Sequence, residues 1–328
     1  MFVPHIFVIA LVMMFISTIC WGSWANAYKL TKNYKFQPAY WDFSIGGVFI
    51  SLVLAWTMGS TSGGEHSFIH NLHSAAPSNM LYAFIGGFIC NIANILLVEG
   101  IEIVGLAIAF PSSIGIALVE GVGLSYAIEH RGNALLLASG VGVALLAVIL
   151  IGKAYGSLPR PSDEAIPRKG IVICVISGFL MGTFAPFNAL ALSSARPLTP
   201  YSVAVFFSFG VFLSCMIFNT YQMRKPLCGA PAKFSGYFHA TLFQHAMGLI
   251  SGVISGVGMV FSLVAASLVG VSISYAIGQA SPMVAAFWGV FAFHEFRGSG
   301  TRAKLYLAGM FVCYLVALFL ISSARQLK

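Results

Sequence analysis

The stretch Val104-Gly-Leu-Ala-Ile-Ala-Phe110 returns in closely similar form as Val269-Gly-Val-Ser-Ile-Ser-Tyr275, 165 residues further along the chain. A second motif follows each copy: Glu129-His-Arg-Gly132 follows the first, and Glu295-Phe-Arg-Gly298 follows the second at an offset of 166 residues. Internal duplication of an apolar chain is typical of membrane transporters that bind their ligand between two halves. The repeated stretch therefore predicts a duplicated bundle of membrane-spanning segments.

The copies divide the chain of 328 residues into halves of similar length. Another pair of motifs, Trp21-Gly-Ser-Trp-Ala25 and Met181-Gly-Thr-Phe-Ala185, has an offset of 160 residues. The connection between the halves is rich in proline, as linkers commonly are. We therefore predict a first repeat over residues 1–153, a linker over 154–169 and a second repeat over 170–328.

Composition predicts a chain embedded in lipid. Hydrophobic residues make up 59% of the sequence, charged residues 8%, and the mean hydropathy is +0.90. In soluble domains about a quarter of all residues are charged, so the composition excludes that class. We expect an all-α membrane protein, because apolar runs of this length suit helices rather than barrel strands. Ten such runs, five per half, cover residues 6–28, 39–59, 79–98, 104–127, 134–152, 170–191, 201–221, 241–263, 268–291 and 304–322.

The basic residues predict an orientation. All 17 Lys and Arg residues lie outside the interiors of the predicted spans, so the net charge of +8 does not indicate a nucleic-acid partner. Thirteen of them fall on one side of the membrane and four on the other. The positive-inside rule places the thirteen in the cytoplasm and both chain termini outside. Because five spans per repeat is an odd number, the second repeat should enter the membrane in the opposite sense from the first.

Glu120 is the strongest candidate for ion coupling. It lies nine residues before Glu129, about 13 Å along a helix, which places it well inside the membrane. Intramembrane carboxylates commonly serve proton relays, because an ionised group is costly there. Ser113, Ala117 and Glu120 share one helical face. We expect Glu120 either to carry a coupling proton or to join neighbouring helices as a neutral hydrogen-bonding group.

Two other carboxylates are further coupling candidates. Asp42 begins the second span, where a carboxylate also stabilises a helix N-terminus. Glu102 sits beside Glu99 in the turn between the third and fourth spans, which we expect on the outer side. At that place it is either a funnel that draws protons inward or an ordinary solvated carboxylate.

Aromatic and carboxamide side chains within the spans suit a neutral polar ligand. Trp21 and Trp24 share a face of the first span and form either a wall for a sugar or a flat ring, or an interfacial belt. Asn91 and Asn94 form a pair with both donors and acceptors, suited to a hydroxyl or amide ligand or to helix packing. Further candidates for the lining are Asn26, Ser113, Asn188, Ser274 and Gln279.

The chemistry of a metal site, a cofactor or an enzyme is not evident in the sequence. The six cysteines have neither disulfide-framework nor metal-site spacing. Glu65, His66, His70 and His73 have chelating potential, but we expect an outer loop there because no further ligand set accompanies them. No His-Glu-x-x-His motif or nucleophile flanked by a base occurs. We expect no cofactor beyond a coupling ion, which is H⁺ by preference over sodium.

The run Gly270-Val-Ser-Ile-Ser-Tyr-Ala-Ile-Gly-Gln-Ala-Ser-Pro282, followed by Glu295 thirteen residues after the proline, resembles the drug/metabolite transporter superfamily. Within it, Trp21-Gly-Ser-Trp24, the basic Lys29–Lys35 turn and Tyr40-Trp-Asp-Phe-Ser44 are most similar to the group of ureide permeases and bacterial glucose/ribose and rhamnose porters. The resemblance implies a bundle of two inverted five-helix repeats, alternating access and proton-driven uptake.

These observations favour a multi-pass protein of the bacterial inner (plasma) membrane that takes up a small neutral polar metabolite together with a proton. A sugar of the ribose, glucose or rhamnose type is the first expectation, and a ureide or nucleobase such as allantoin or uracil is the closest alternative. Drug or metabolite efflux is a third interpretation. Organic anions are disfavoured, because no Lys or Arg lies within a span. The fifth and tenth spans, nearly bare of polar groups, should face lipid in a monomer or a partner in a homodimer.

Overall fold

The computed structural model describes residues 1–31, 34–61, 67–158 and 167–325, and in these ranges the regular secondary structure is helical. The first half contains α1 (Phe7–Lys29), α2 (Phe36–Trp56), α3 (Phe68–Ser74), α4 (Pro77–Val104), α5 (Leu106–Ala109), α6 (Gly115–Glu129) and α7 (Ala134–Gly156). The second half contains α8 (Arg168–Ser193), α9 (Pro200–Ser214), α10 (Thr220–Arg224), α11 (Ser235–Phe238), α12 (Leu242–Val269), α13 (Val271–Gly278), α14 (Ser281–Phe291) and α15 (Thr301–Ser323).

Nine helical segments of the described chain are long and apolar enough to cross a membrane. The chain is therefore an integral, multi-pass, all-α membrane protein. Residues 268–291, predicted as one span, form α13 and α14 with a break at Gln279 and Ala280. Pro282 lies in the first turn of α14 and has no N–H to continue a helix from the preceding turn. Half of the predicted linker, residues 159–166, lies outside the described residues, as do Glu65 and His66.

Proline is accommodated differently in the first half. The short segment Phe110–Ile114 has the wider π-helical turn and contains Pro111. Such a turn lets the chain continue without the hydrogen bond that proline cannot donate. α5 and α6 thus belong to one membrane-spanning segment, Leu106–Glu129.

Helix packing follows the duplication in the sequence. α1 packs on α12 as α8 packs on α4, and α2 packs on α12 as α9 packs on α4. Gly46 and Gly252 bring the backbones of α2 and α12 together, since a Cβ at either would meet a carbonyl of the other helix. Gly210 and Gly87, in the corresponding positions, do the same for α9 and α4.

Unusual backbone conformations recur as well. Gly105 and Gly270, which precede α5 and α13, have φ of +74° and +94°. Gly132 and Gly298, which end the second motif, have φ of +92° and +78°. Glycine adopts the left-handed region without strain, so Gly105 and Gly270 suit sharp turns between long helices. The two halves therefore share backbone geometry as well as residue types.

A small test of the glycine contacts is Gly252→Ala. The added methyl group would collide with the carbonyl of Phe43, so we expect a loss of about 1–3 kcal/mol in unfolding free energy. The measurement is the midpoint of thermal unfolding in detergent. Gly123→Ala is the matched control, because a Cβ there meets nothing within 4 Å and should leave the midpoint unchanged or slightly raised. Equal midpoints for the two variants would contradict the role of Gly252.

Candidate functional site

Glu120 lies where α6 packs on α8. Its Oε1 accepts a hydrogen bond of 3.3 Å from Thr183 Oγ1. Its Oε2 is buried and has no hydrogen-bond partner among the described residues. Gly182 faces it, and a Cβ at that position would stand 2.7 Å from Oε2. The glycine makes room for the carboxyl group, and an unpaired buried oxygen of this kind calls for a proton or a ligand.

The rest of the predicted Glu120 face is engaged in packing. Ser113 Oγ donates to the carbonyl of Cys174 on α8 over 2.8 Å. Tyr275 Oη, from α13, donates to the carbonyl of Ala117 over 3.1 Å. Tyr275 was not singled out from the sequence, although it ends the repeated motif from Val269. It ties the second half to α6 beside Glu120.

The two predicted tryptophans have different surroundings. Trp21 fits against Gly258 of α12 and Gly278 of α13, where a Cβ would touch its ring. The Trp24 ring lies 5.0 Å from that of Phe43 on α2, measured between centroids, and Phe43 stacks on Tyr40 at 4.6 Å. Trp24 therefore belongs to a run of aromatic rings, and Trp21 occupies a slot between helices.

Asn94 extends this run with an amide. Its Nδ2 donates to Tyr40 Oη over 3.0 Å, and its side chain is half-buried. We call Trp24, Tyr40, Phe43 and Asn94 the aromatic–amide cluster. Asn91 points to α9 instead, where its Nδ2 donates to Ser214 Oγ over 3.1 Å. The cluster contains ring faces and a carboxamide, and its members carry no charge.

The other predicted lining residues are dispersed. Asn26 Nδ2 and Asn188 Oδ1 are buried without a hydrogen-bond partner among the described residues. Ser274 Oγ donates to the carbonyl of Ser262 over 2.8 Å and thereby joins α13 to α12. Gln279 lies at the break between α13 and α14 and is 7% exposed. The structure therefore does not gather all the candidates at one place.

Asp42 is the centre of a second polar group. It is 3% exposed and accepts hydrogen bonds from Tyr237 Oη over 2.9 Å and from His245 Nδ1 over 2.8 Å. Tyr34 Oη approaches it at 3.5 Å. Burial and the neighbouring carboxylate raise the pKa of Tyr237 to about 12, so its phenol remains a donor at physiological pH. The sequence gives no indication of these partners, which lie 195 and 203 positions from Asp42.

Glu102 does not lie where we predicted it. Its neighbour Glu99 accepts a hydrogen bond of 3.1 Å from the amide of Cys228 and lies near Lys169. Cys228 and Lys169 are at the end of the bundle that carries the basic loops. The turn lies at the basic end rather than at the opposite end, because the turn after a third span must lie on the same side as the turn after the first. Glu102 is exposed there, and its expected role as an outer funnel has no geometric basis.

A cavity of about 320 Å³ opens at the other end of the bundle. Its polar lining comes from Asn71, Glu129, Arg131, Ser193, Thr199 and Ser267. The ring of Phe184 belongs to a packed apolar layer of the bundle. Its centroid lies 5.7 Å from that of Phe207 and 5.4 Å from that of Tyr275.

Comparisons with known proteins agree with one another. The model of the ureide permease family matches residues 39–168 and 162–324. Ureide permease 5 of Arabidopsis thaliana is 24% identical over 96% of this chain and 94% of its own length. The L-rhamnose-proton symporter of Escherichia coli O9:H4 (strain HS) is 22% identical over 54% of this chain and 52% of its own. A crystal structure with 16% identity covers 97% of this chain and 99% of its own with a TM-score of 0.61, which shows a shared fold.

The polar group around Asp42 predicts a pH-dependent stability. Tyr237→Phe removes a donor to a buried carboxylate, which should lower the unfolding free energy by about 1–2 kcal/mol at neutral pH. The folded pKa of Tyr237 lies above its usual value of 10.0, so this contribution is complete below pH 10 and is lost as pH rises toward 12. Chemical unfolding in detergent should therefore show a gap between wild type and variant that narrows over this range.

Tyr221→Phe is the matched control, because Tyr221 is 57% exposed. It should have the stability of the wild type at each pH. A gap for Tyr237→Phe that stays constant up to pH 12 would contradict the assignment of the hydrogen bond to this phenol.

Proposed function

This chain belongs to the ureide permease family, and from that premise we propose that it carries a small neutral polar metabolite across the membrane together with a proton. The family consists of transporters, so the chain is a transporter of small molecules and not an enzyme. We rank a ureide or nucleobase first and a sugar second. Relatives named ureide permease match nearly the whole chain, whereas the relative named L-rhamnose-proton symporter matches about half of it.

The aromatic–amide cluster is the observation that carries this proposal. Trp24 and Phe43 offer apolar ring faces, on which a flat amide-bearing ring stacks as well as the C–H face of a sugar. Asn94 supplies donors and an acceptor beside them. No charged side chain belongs to the cluster, which suits a neutral ligand. Its hydrogen bond with Tyr40 holds the carboxamide in place and is exchangeable for bonds to a ligand.

Glu120 is the group that we assign to the proton. Of the three predicted coupling residues, Asp42 is occupied by Tyr237 and His245, and Glu102 is exposed at the basic end. Glu120 has one oxygen paired with Thr183 and one left unpaired within the membrane. Protonation removes the cost of an ionised group in that position. The name of the related rhamnose symporter also supports proton coupling.

We further propose ten crossings in two inverted repeats, with α13 and α14 counted as one broken crossing. The matching helix pairs and the matching glycine contacts support this count. The distribution of basic residues supports a cytoplasmic basic end, termini outside and a location in the plasma membrane. Alternating access then exposes the aromatic–amide cluster to each side in turn.

Uptake into proteoliposomes under an inward proton gradient tests the proposal. Labelled allantoin and uracil are offered beside rhamnose, ribose and glucose, and we expect gradient-driven accumulation of one ureide or nucleobase. Glu120→Gln should abolish accumulation while retaining exchange of substrate between the two sides, since exchange needs no net proton movement. Glu120→Asp should retain part of the accumulation.

Two outcomes would overturn parts of this assignment. Loss of accumulation in Glu102→Gln with full activity in Glu120→Gln would move the coupling to Glu102. Accumulation of a sugar alone would reverse our ranking of the substrates, and no accumulation of any compound by folded protein would remove the proposed substrate class.

Ligand recognition has its own test in the cluster. Asn94→Ala and Trp24→Ala should each raise the KM for uptake about tenfold, because each removes a contact worth about 1–1.5 kcal/mol. Trp24→Phe should recover much of the loss, since it keeps a ring face. Trp56→Ala is the matched control, because Trp56 is 58% exposed on α2 and should leave the KM unchanged. Equal KM values for wild type and Asn94→Ala would exclude the cluster as the binding site.

A further inference from the structure

Glu129 joins the two halves at the end of the bundle opposite the basic loops. Its Oε2 accepts a hydrogen bond of 2.7 Å from the amide of Val271, the first residue of α13, and the amide of Ser272 also contacts it. The first amides of a helix have no acceptor within the helix, and a carboxylate there is favoured by the helix dipole. Arg131 Nη1 donates to the carbonyl of Ser267 beside it over 3.4 Å. The end of α6 is thereby closed onto the start of α13.

The duplication supplies a second set of these residues. Glu295 corresponds to Glu129, and Leu106 corresponds to Val271, because each follows the glycine of its motif. Gly105 and Gly270 have similar φ, so both turns present the next amide in a similar way. We call the hydrogen bond from the amide of Val271 to Glu129 a clasp. An equivalent clasp, from the amide of Leu106 to Glu295, would join the end of α14 to the start of α5 at the basic end.

That second clasp is not formed in this structure. Glu295 Oε1 lies 3.1 Å from Lys29 Nζ, and its Oε2 accepts from Tyr155 Oη over 3.0 Å. No side chain in the described ranges caps the start of α5. α13 packs against α6, whereas α14 packs against α1 and α15. The two ends of the bundle, related by sequence, are thus in different states.

We propose that Glu129 and Glu295 alternate as clasps between the halves. In the state described above Glu129, on the wall of the cavity at the non-basic end, holds Val271 and joins the two halves there. In the opposite state Glu129 releases Val271, and Glu295 leaves Lys29 and Tyr155 to accept the amide of Leu106, which closes the basic end. The inference rests on the proposed transport by alternating access and names the residues that hold each closed end.

An exchange of one clasp for the other has an energetic advantage. Each state contains one carboxylate bound to the first amide of a helix, so the two states differ little in that contribution. A transporter needs states of similar free energy, because a few kcal/mol would leave one of them almost unpopulated. The rival explanation is that Glu129 is a fixed cap of α13. The two explanations differ in whether a substitution at one end of the bundle changes amide hydrogen exchange at the other end.

Amide hydrogen exchange of the full-length protein in lipid nanodiscs, read by mass spectrometry over α5 and α13, distinguishes them. Glu129→Gln should raise exchange at the start of α13 about tenfold, in keeping with the loss of a bond to a charged acceptor. It should also lower exchange at the start of α5, because the population shifts toward the state with the basic end closed. Glu295→Gln should have the opposite effect on both segments.

The controls make the outcome decisive. Lys304→Gln removes an exposed charge at the basic end and should change neither segment. The double variant should raise exchange at both. Either single variant alone tests the coupling, because the informative signal lies at the far end, so failure of one variant to fold does not prevent the test. Changes confined to the segment beside the substituted residue would overturn the proposal in favour of fixed caps.

The exchange measurement needs no substrate, so its failure is distinguishable from failure of the proposed function. Reciprocal exchange without accumulation of any of the five compounds would keep the clasps and reject the substrate class. Accumulation by the wild type together with strictly local exchange changes would keep the transport function and reject the clasps.

Discussion

The structure depends on one constraint: a backbone amide in hydrocarbon must find an acceptor within the protein. Long helices satisfy this along most of the chain, and the informative places are those where they are interrupted. The helix continues through Pro111 in a π-helical turn, whereas Gln279 and Ala280 separate α13 from α14. At Gly270 the chain turns sharply, and the freed amide of Val271 is paired with a carboxylate from the other half.

The same constraint explains the character of the candidate site. Polar side chains in the bundle mostly bond to one another or to helix carbonyls, as Ser113 does with Cys174. Polar groups that still have a free hydrogen-bond donor or acceptor are then the ones available for function. Glu120 has such an oxygen, opposite a glycine that leaves space for it, and Asn94 has a half-buried amide beside aromatic rings. Neutral polar ligands match these groups, because they exchange hydrogen bonds without bringing a charge into the membrane.

The sequence predicted features that repeat or that depend on local composition. The duplicated motifs indicated the equivalence of Gly105 with Gly270, and the apolar runs matched nine long helical segments. Pro282 in mid-span indicates a kinked helix, but length and hydropathy do not report that helical pairing stops at Gln279 and Ala280. The turn at Glu102 lies at the basic end, where counting the spans alone would have placed it. The partners of Asp42 were missed because they come from the loop before α2, from α11 and from the start of α12, and no periodicity relates them.

The glycine contacts between α2 and α12, and between α4 and α9, bear on how the two halves are joined. Small residues let helix backbones approach closely, so few side chains lie between the two helices of each pair. Each of these pairs takes one helix from each half of the chain. These close backbone contacts therefore join the two halves to each other rather than helices within one half.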